Sequence, residues 1–195
     1  EYEGQGFMKL LMNHVLDIYK DKRIYLQAYH PDIYMPFGFK ESHRHILYKL
    51  DKTKYALPSS ICVSQDISHL YDDYMRYTAN FNHYLVRDED YFNDYLRKRC
   101  AAFNDSVLTF KNEYGQQGYM IYNDRGKFVY ISEFIYNKEY LDDILKTISV
   151  YFYKDIRIET DCMASIHGEK TDMITMMCNQ EDDTPLEKRY INEIY

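Results

Sequence analysis

At 195 residues, with 46% hydrophobic and 28% charged side chains, the chain has globular composition and can bury a substantial core in one domain or two small ones. A net charge of −7 with scattered lysines and arginines argues against a nucleic-acid partner, and no apolar run reaches the roughly 18–20 residues that span a bilayer. The four cysteines, Cys62, Cys100, Cys162 and Cys178, lie far apart with no CxxC pair, which suits free thiols in a reducing cytoplasm better than a disulfide framework or a zinc site.

The chain opens on Glu1-Tyr2-Glu3-Gly4-Gln5-Gly6-Phe7-Met8, a glycine-containing turn that runs into an apolar helical pattern. Such a turn can expose backbone amides at a helix N-terminus, where the dipole favours an anion, so it suits a phosphate. It also suits a plain entry to a core helix. Over residues 6–20 the polar positions Lys9, Asn13, Asp17 and Lys20 form one narrow stripe. That spacing predicts a helix packed broadly against a sheet. A mostly apolar strand follows at residues 24–29, which completes an α/β unit.

Pro31 suits the first position of a short helix, and Gly38 can end it. Residues 40–51 alternate as a strand that carries His43 and His45 on one face. A metal pair needs a third ligand, and none stands nearby, so both read as half-exposed strand histidines. Residues 52–64, with Pro58-Ser59-Ser60, read as a linker. Ser64 or Asp66 then caps a helix with Ile67, Leu70, Tyr71, Tyr74, Tyr77 and Phe81 on its apolar stripe, and Asp88 caps a second. Strands are expected at 106–110 and 119–122, the latter turning through Asn123-Asp124-Arg125-Gly126 into 128–134. A helix at 138–149 and strands near 156–158 and 173–177 complete the pattern, with Tyr190, Ile191 and Ile194 in a polar tail.

The order of turn, helix, strand and Ile33-Tyr34-Met35-Pro36-Phe37-Gly38-Phe39 resembles the GNAT superfamily of acyl-CoA N-acyltransferases. The family signature, Arg/Gln-x-x-Gly-x-Gly/Ala, aligns with Glu3-Gly4-Gln5-Gly6-Phe7-Met8. Gly6 alone matches strictly; Glu3 stands for Arg or Gln, and Met8 for a small residue. Met8 and the Ile-Tyr-x-x-Phe-Gly-Phe segment are similar to the tandem-GNAT "enhanced intracellular survival" branch. So are Arg87-Asp88, Gly118-Tyr119-x-x-Tyr122, Glu133 and Met176-Met177.

The resemblance implies a mixed α/β sheet of GNAT type. Residues 1–57 would be the C-terminal half of an acetyl-CoA-binding domain whose earlier strands precede Glu1. Residues 58–195 would be a second, degenerate GNAT-like domain with a tail. The implied activity is acetyl transfer from acetyl-CoA, as co-substrate and without metal, to a primary amine on a small molecule or peptide. Backbone amides of Gln5, Gly6, Phe7 and Met8 would hold the pyrophosphate, and Tyr34 would protonate the departing thiolate, a role that fits a phenol still protonated at neutral pH. His30 reads either as an acceptor of the amine proton or as a surface-loop histidine. The second strand-to-helix turn, Ile135-Tyr136-Asn137-Lys138-Glu139, has no glycine. It is expected to bind no CoA and to shape the substrate cleft or a homo-oligomer contact. The competing expectation is a non-catalytic binding or assembly module.

Overall fold

The computed structural model describes residues 6–161, 164–180 and 189–190. Helix α1 (Phe7–Ile18) and strand β1 (Tyr25–Ala28) lead through two 3-10 turns, Pro31–Ile33 and Met35–Phe37, to the long strand β2 (Lys40–Leu50). A 3-10 turn (Lys52–Tyr55), β3 (Cys62–Ser64), α2 (Leu70–Thr78), β4 (His83–Tyr84) and a π-helical turn (Tyr91–Tyr95) continuing into α3 (Leu96–Phe103) follow. Next come β5 (Ser106–Asn112), β6 (Gly115–Asp124) and β7 (Phe128–Tyr136), then a 3-10 turn (Lys138–Tyr140) leading into α4 (Leu141–Tyr151). Strands β8 (Asp155–Thr160), β9 (Gly168–Cys178) and β10 (Arg189–Tyr190) complete the described elements.

Near-continuous apolar runs in β6 and β7, with β5 beside them, build an antiparallel meander, and α4 carries the chain across to β8, which lies parallel to β7. Among the described residues the sheet has eight strands in the order β1-β9-β2-β8-β7-β6-β5-β3, and β10 and β4 form a separate parallel pair. The expected boundary at 57/58 falls between the 52–55 turn and β3, yet strands from either side interleave. β2 lies between β9 and β8, while β1 pairs with β9.

The main core packs α2 and α4 with the meander, centred on Tyr74, Phe110, Tyr119, Ile131, Ile144, Leu145 and Ile158. Residues 52–64 are more structured than the linker expected: Thr53 donates its amide to Asp51 to form the 3-10 turn, and Cys62–Ser64 pairs with β5 as the sheet's edge strand. The α2 helix starts at Leu70, later than a cap at Ser64 or Asp66 implies; Asp66 accepts from the Ser68 amide and hydroxyl in the turn ahead of it. Asp88 does cap the following helical segment, accepting from the Tyr91 amide at 2.9 Å. His43 and His45 are buried, at 1% and 4% exposure, rather than half-exposed. β2 is an interior strand, and a register shift between Glu41 and His43 interrupts its alternation.

One buried ion pair joins the connection after β4 to the middle of the sheet. The Arg87 guanidinium donates both terminal nitrogens to Glu133 at 2.8 Å each, with side-chain exposures of 1% and 3%. Tyr119 donates its hydroxyl to the same carboxylate at 2.6 Å, and the rings of Tyr74 and Tyr91 lie 4.5 and 4.7 Å from the guanidinium carbon. Burial opposes the Arg87 charge, but Glu133 more than offsets it and holds the group above its ordinary range. Removing one partner strands the other charge in the core. Arg87→Met is therefore expected to lower the unfolding free energy by about 3–5 kcal/mol, and Arg87→Met/Glu133→Leu to recover most of it, in urea titrations.

Cys62, Cys100 and Cys178 are free thiols, and Cys162 lies outside the described residues. Burial, then Asp105, pushes the half-buried Cys100 thiol up to about 11. Only the thiolate reacts with an alkylating agent. The Cys100 alkylation rate should therefore keep rising about tenfold per pH unit from pH 8 to 10, which peptide mass spectrometry can follow.

Candidate functional site

Gly6 stands at the N-terminus of α1 with φ 79°, a left-handed conformation in which a side chain is strained. The Leu10 amide bonds back to the Gly6 carbonyl at 3.1 Å. No acidic residue lies in this first turn of α1. Gly6, Phe7 and Met8 thus stand together at a helix start, whereas Gln5 and Glu3 lie outside the described residues.

The broad packing expected of α1 is not what these residues show. No α1 residue is fully buried, and Phe7, Leu10, Leu11 and Ile18 are more than half exposed. Only one edge of the helix, through Met12 and Leu16, meets a small apolar cluster built on Ala28, Phe39 and Met177. Tyr34 packs on that same cluster. It sits between the two 3-10 turns, its amide donating to Pro31 at 2.9 Å and its carbonyl accepting from Phe37 at 3.0 Å. Its half-buried ring meets Phe39 edge-on at 6.4 Å. The cluster therefore links α1, β1 and Tyr34, while His30 is exposed at the end of β1.

The second strand-to-helix turn is built differently. The Asn137 amide donates to the Gln117 carbonyl at 2.7 Å, and the Asn137 side chain accepts from the Glu139 amide at 3.2 Å. Tyr140 in turn donates its amide to the Asn137 carbonyl. Three of the amides that would face a bound anion already have protein acceptors. Gly118 lies so close beneath that a Cβ there would meet the Ile135 carbonyl oxygen at 2.1 Å. A cavity of about 410 Å³ adjoins the turn, lined by Asp73, Arg76, Tyr77, Gln117, Tyr136 and Lys138 among others.

The β7–β8 ladder ends at Ile131 and Ile158, although β7 continues to Tyr136 and β8 to Thr160. Side chains fill the space where the two strands cease to pair. Asp161 accepts hydroxyl hydrogen bonds from Tyr77 and Tyr136, and the Tyr77 ring meets Phe81, Tyr136 and Tyr190. Burial, then Asp161, raises the Tyr77 phenol well above its ordinary range. Sequence reading did not single out Asp161, Glu159 or Tyr190 as partners, because their contacts join residues far apart in the chain. No cluster of His, Cys, Asp and Glu suited to a metal occurs among the described residues.

No protein-family model matches the sequence, and no curated protein matches it. Solved structures do match in shape. A GCN5-related N-acetyltransferase from Anabaena variabilis superposes with a TM-score of 0.65 at 12% identity, over 91% of this chain and 51% of that one. The fold is that of the GCN5-related N-acetyltransferases. Eis1 from Mycobacterium abscessus gives 0.56 at 11% identity over 89% and 52% of the two chains. A tandem GNAT protein from the clavulanic acid biosynthesis pathway gives 0.55 at 10% over 93% and 72%. The chain thus spans about half the length of the first two, and at these identities the likeness is one of fold. The mixed GNAT-type sheet expected from the sequence is the sheet observed.

Gly6 tests whether its backbone or its missing side chain matters at the start of α1. A Cβ there would meet no atom of the described residues within 4 Å, so Gly6→Ala should act through φ. It should destabilise by about 1–2 kcal/mol, read as a lowered thermal midpoint.

Proposed function

We propose that this chain is part of an acyl-CoA-dependent N-acetyltransferase that moves an acetyl group from acetyl-CoA to a primary amine on a small molecule or peptide. The observation that carries this reading is the left-handed Gly6 at the start of α1, linked through one apolar cluster to Tyr34, within a GNAT-type sheet. In this reading the amides of Gln5, Gly6, Phe7 and Met8 hold the pyrophosphate, and their grip does not depend on side-chain charge. Bound acetyl-CoA supplies the activated acyl group. Tyr34 is the proton donor to the departing sulfur, and its fixed position between two tight turns limits the motion that would blunt proton transfer.

Residues 1–57 then carry half of the cofactor site, and residues 58–195 form a GNAT-like unit that binds no CoA. The occupied amides of the Asn137 turn and the side chains filling the space beyond the β7–β8 ladder favour that division of labour. The reading extends to a two-unit enzyme resembling the enhanced intracellular survival branch on the strength of its sequence motifs; the likeness to Eis1 and to the tandem GNAT protein supports the shared fold. We place the protein in the cytoplasm, where free thiols persist.

Tyr34→Phe removes the proton donor and keeps the ring packing on Phe39. In the protein assayed by thiol release, kcat should fall by about a hundredfold, with the dissociation constant for acetyl-CoA unchanged. Unchanged kcat would remove Tyr34 from the chemistry, and no acetyl-CoA binding by either protein would remove the proposed activity.

A further inference from the structure

Away from Tyr34 and the Gly6 turn, a crevice opens at the C-terminal end of β7. That strand runs on to Tyr136 after its ladder with β8 has ended at Ile131, and α2 packs beside it and β6. Where parallel strands part, the space outside a strand's carboxyl end is a common place to hold a small ligand. The cavity of about 410 Å³ lies there, between α2, the ends of β6 and β7, and the Asn137 turn. Its volume falls within the range of small-molecule sites. Tyr77, Ile135 and Tyr136 give it aromatic and apolar walls.

One arginine of this cavity is held in place from beneath. Asp73 on α2 has a side chain only 1% exposed, one turn from the half-exposed Arg76. One Asp73 oxygen accepts from Arg76 and the other from the Gln116 side chain at 2.5 Å. The Asp73 charge is thus answered inside the protein, and the pair fixes the guanidinium at the cavity wall. Arg76 spends one terminal nitrogen on that bond among the described residues and keeps its other N–H donors. Lys138, exposed in the turn before α4, adds a second cation to the lining. The amides of that turn are already bonded within the protein, so an anion here would be held by side chains. Glu139 is the other carboxylate of the lining. With Arg76 and Lys138 set against Asp73 and Glu139, the lining charges cancel, so a monoanion is accepted far better than a dianion.

We propose that this cavity binds a small planar monocarboxylate with an aromatic body. The carboxylate takes the fork of Arg76, Lys138 supplies the second positive charge, and the ring lies against Tyr77, Ile135 and Tyr136. A guanidinium matches a flat carboxylate through two parallel hydrogen bonds, which an ammonium cannot do. Glu139 selects against phosphate and other multiply charged anions. The inference concerns a different place in the fold from the Tyr34 region and does not depend on acetyl transfer.

Benzoate is the probe, titrated by calorimetry into the full chain, with the amide NMR shifts of Gly118 and Asn137 locating it. It should saturate one site per chain. Benzyl alcohol, which keeps the ring without the charge, and inorganic phosphate should each bind at least about tenfold more weakly. Arg76→Lys keeps a cation for Asp73 but loses the fork, and should weaken benzoate by about tenfold or more. Lys138→Gln, at an exposed position, should weaken it about threefold, and Glu139→Gln should tighten it by about the same factor. These two variants decide the matter should Arg76→Lys not fold. Binding that does not saturate, or an affinity that no folded variant moves, overturns the site. Equal binding of benzyl alcohol overturns the carboxylate requirement, and phosphate as tight as benzoate overturns the preference for a monoanion. Acetyl-CoA should leave benzoate affinity unchanged; displacement by it would make the cavity a cofactor site and overturn the assignment.

Discussion

The strand exchange at the centre of the sheet is the constraint on which the remaining structure depends. β2 bonds to β9 along one edge and to β8 along the other, while β9 also carries β1. Asn179 closes the end of that arrangement, donating its amide to the Ile24 carbonyl and accepting the Ile24 amide on its side chain at 2.8 Å. Without β9, β1 has no strand partner among the described residues, and without β2, β8 loses its antiparallel neighbour. Residues separated by more than a hundred positions must therefore meet before either half has its full ladder. Such long-range pairing costs loop-closure entropy early and returns stability late, which couples the halves into one sheet.

The buried Arg87–Glu133 pair has a different role. An ion pair in a core contributes little net stability compared with apolar residues, but it tolerates few alternative geometries. The guanidinium must lie between two tyrosine rings and meet both carboxylate oxygens, while Tyr119 binds the same group. This fixes how the connection after β4 and the π-helical turn sit on β6 and β7. It also takes up three of the roughly four lone-pair sites of Glu133. The carboxylate is buried and paired with a fixed cation, which holds its charge in place. Glu133 is better understood as an organiser of the sheet than as a base.

Much of this was legible in the sequence, and the failures are instructive. Apolar periodicity placed α1, β2, the β6–β7 hairpin and α4 close to their observed bounds, since each element has enough residues for one period to dominate. Cys62–Ser64 was missed because a three-residue edge strand next to Pro58 has too few side chains to show alternation. The two histidines of β2 were misread because pattern alone cannot tell an interior strand from a half-covered one, and a register shift puts Ser42 and His43 inside together. At the first candidate site the sequence located the glycine turn and Tyr34. It could not show that one apolar cluster connects them, because that cluster needs Met177 from β9.

The contrast between the two helix starts follows from one choice of residue. At Gly6 the backbone adopts a positive φ and its carbonyl receives the Leu10 amide. At Asn137 the backbone is extended, and the side chain folds onto the Glu139 amide as an ordinary cap. An asparagine cap satisfies the same orphan donors that an anion would satisfy, so the two solutions exclude each other at a single helix start. The asparagine cap is the solution used ahead of α4, and it sets the Asn137 turn against a phosphate-binding role. At α1 a glycine stands where a capping side chain would, so no side chain of residue 6 competes for the amides of that helix start.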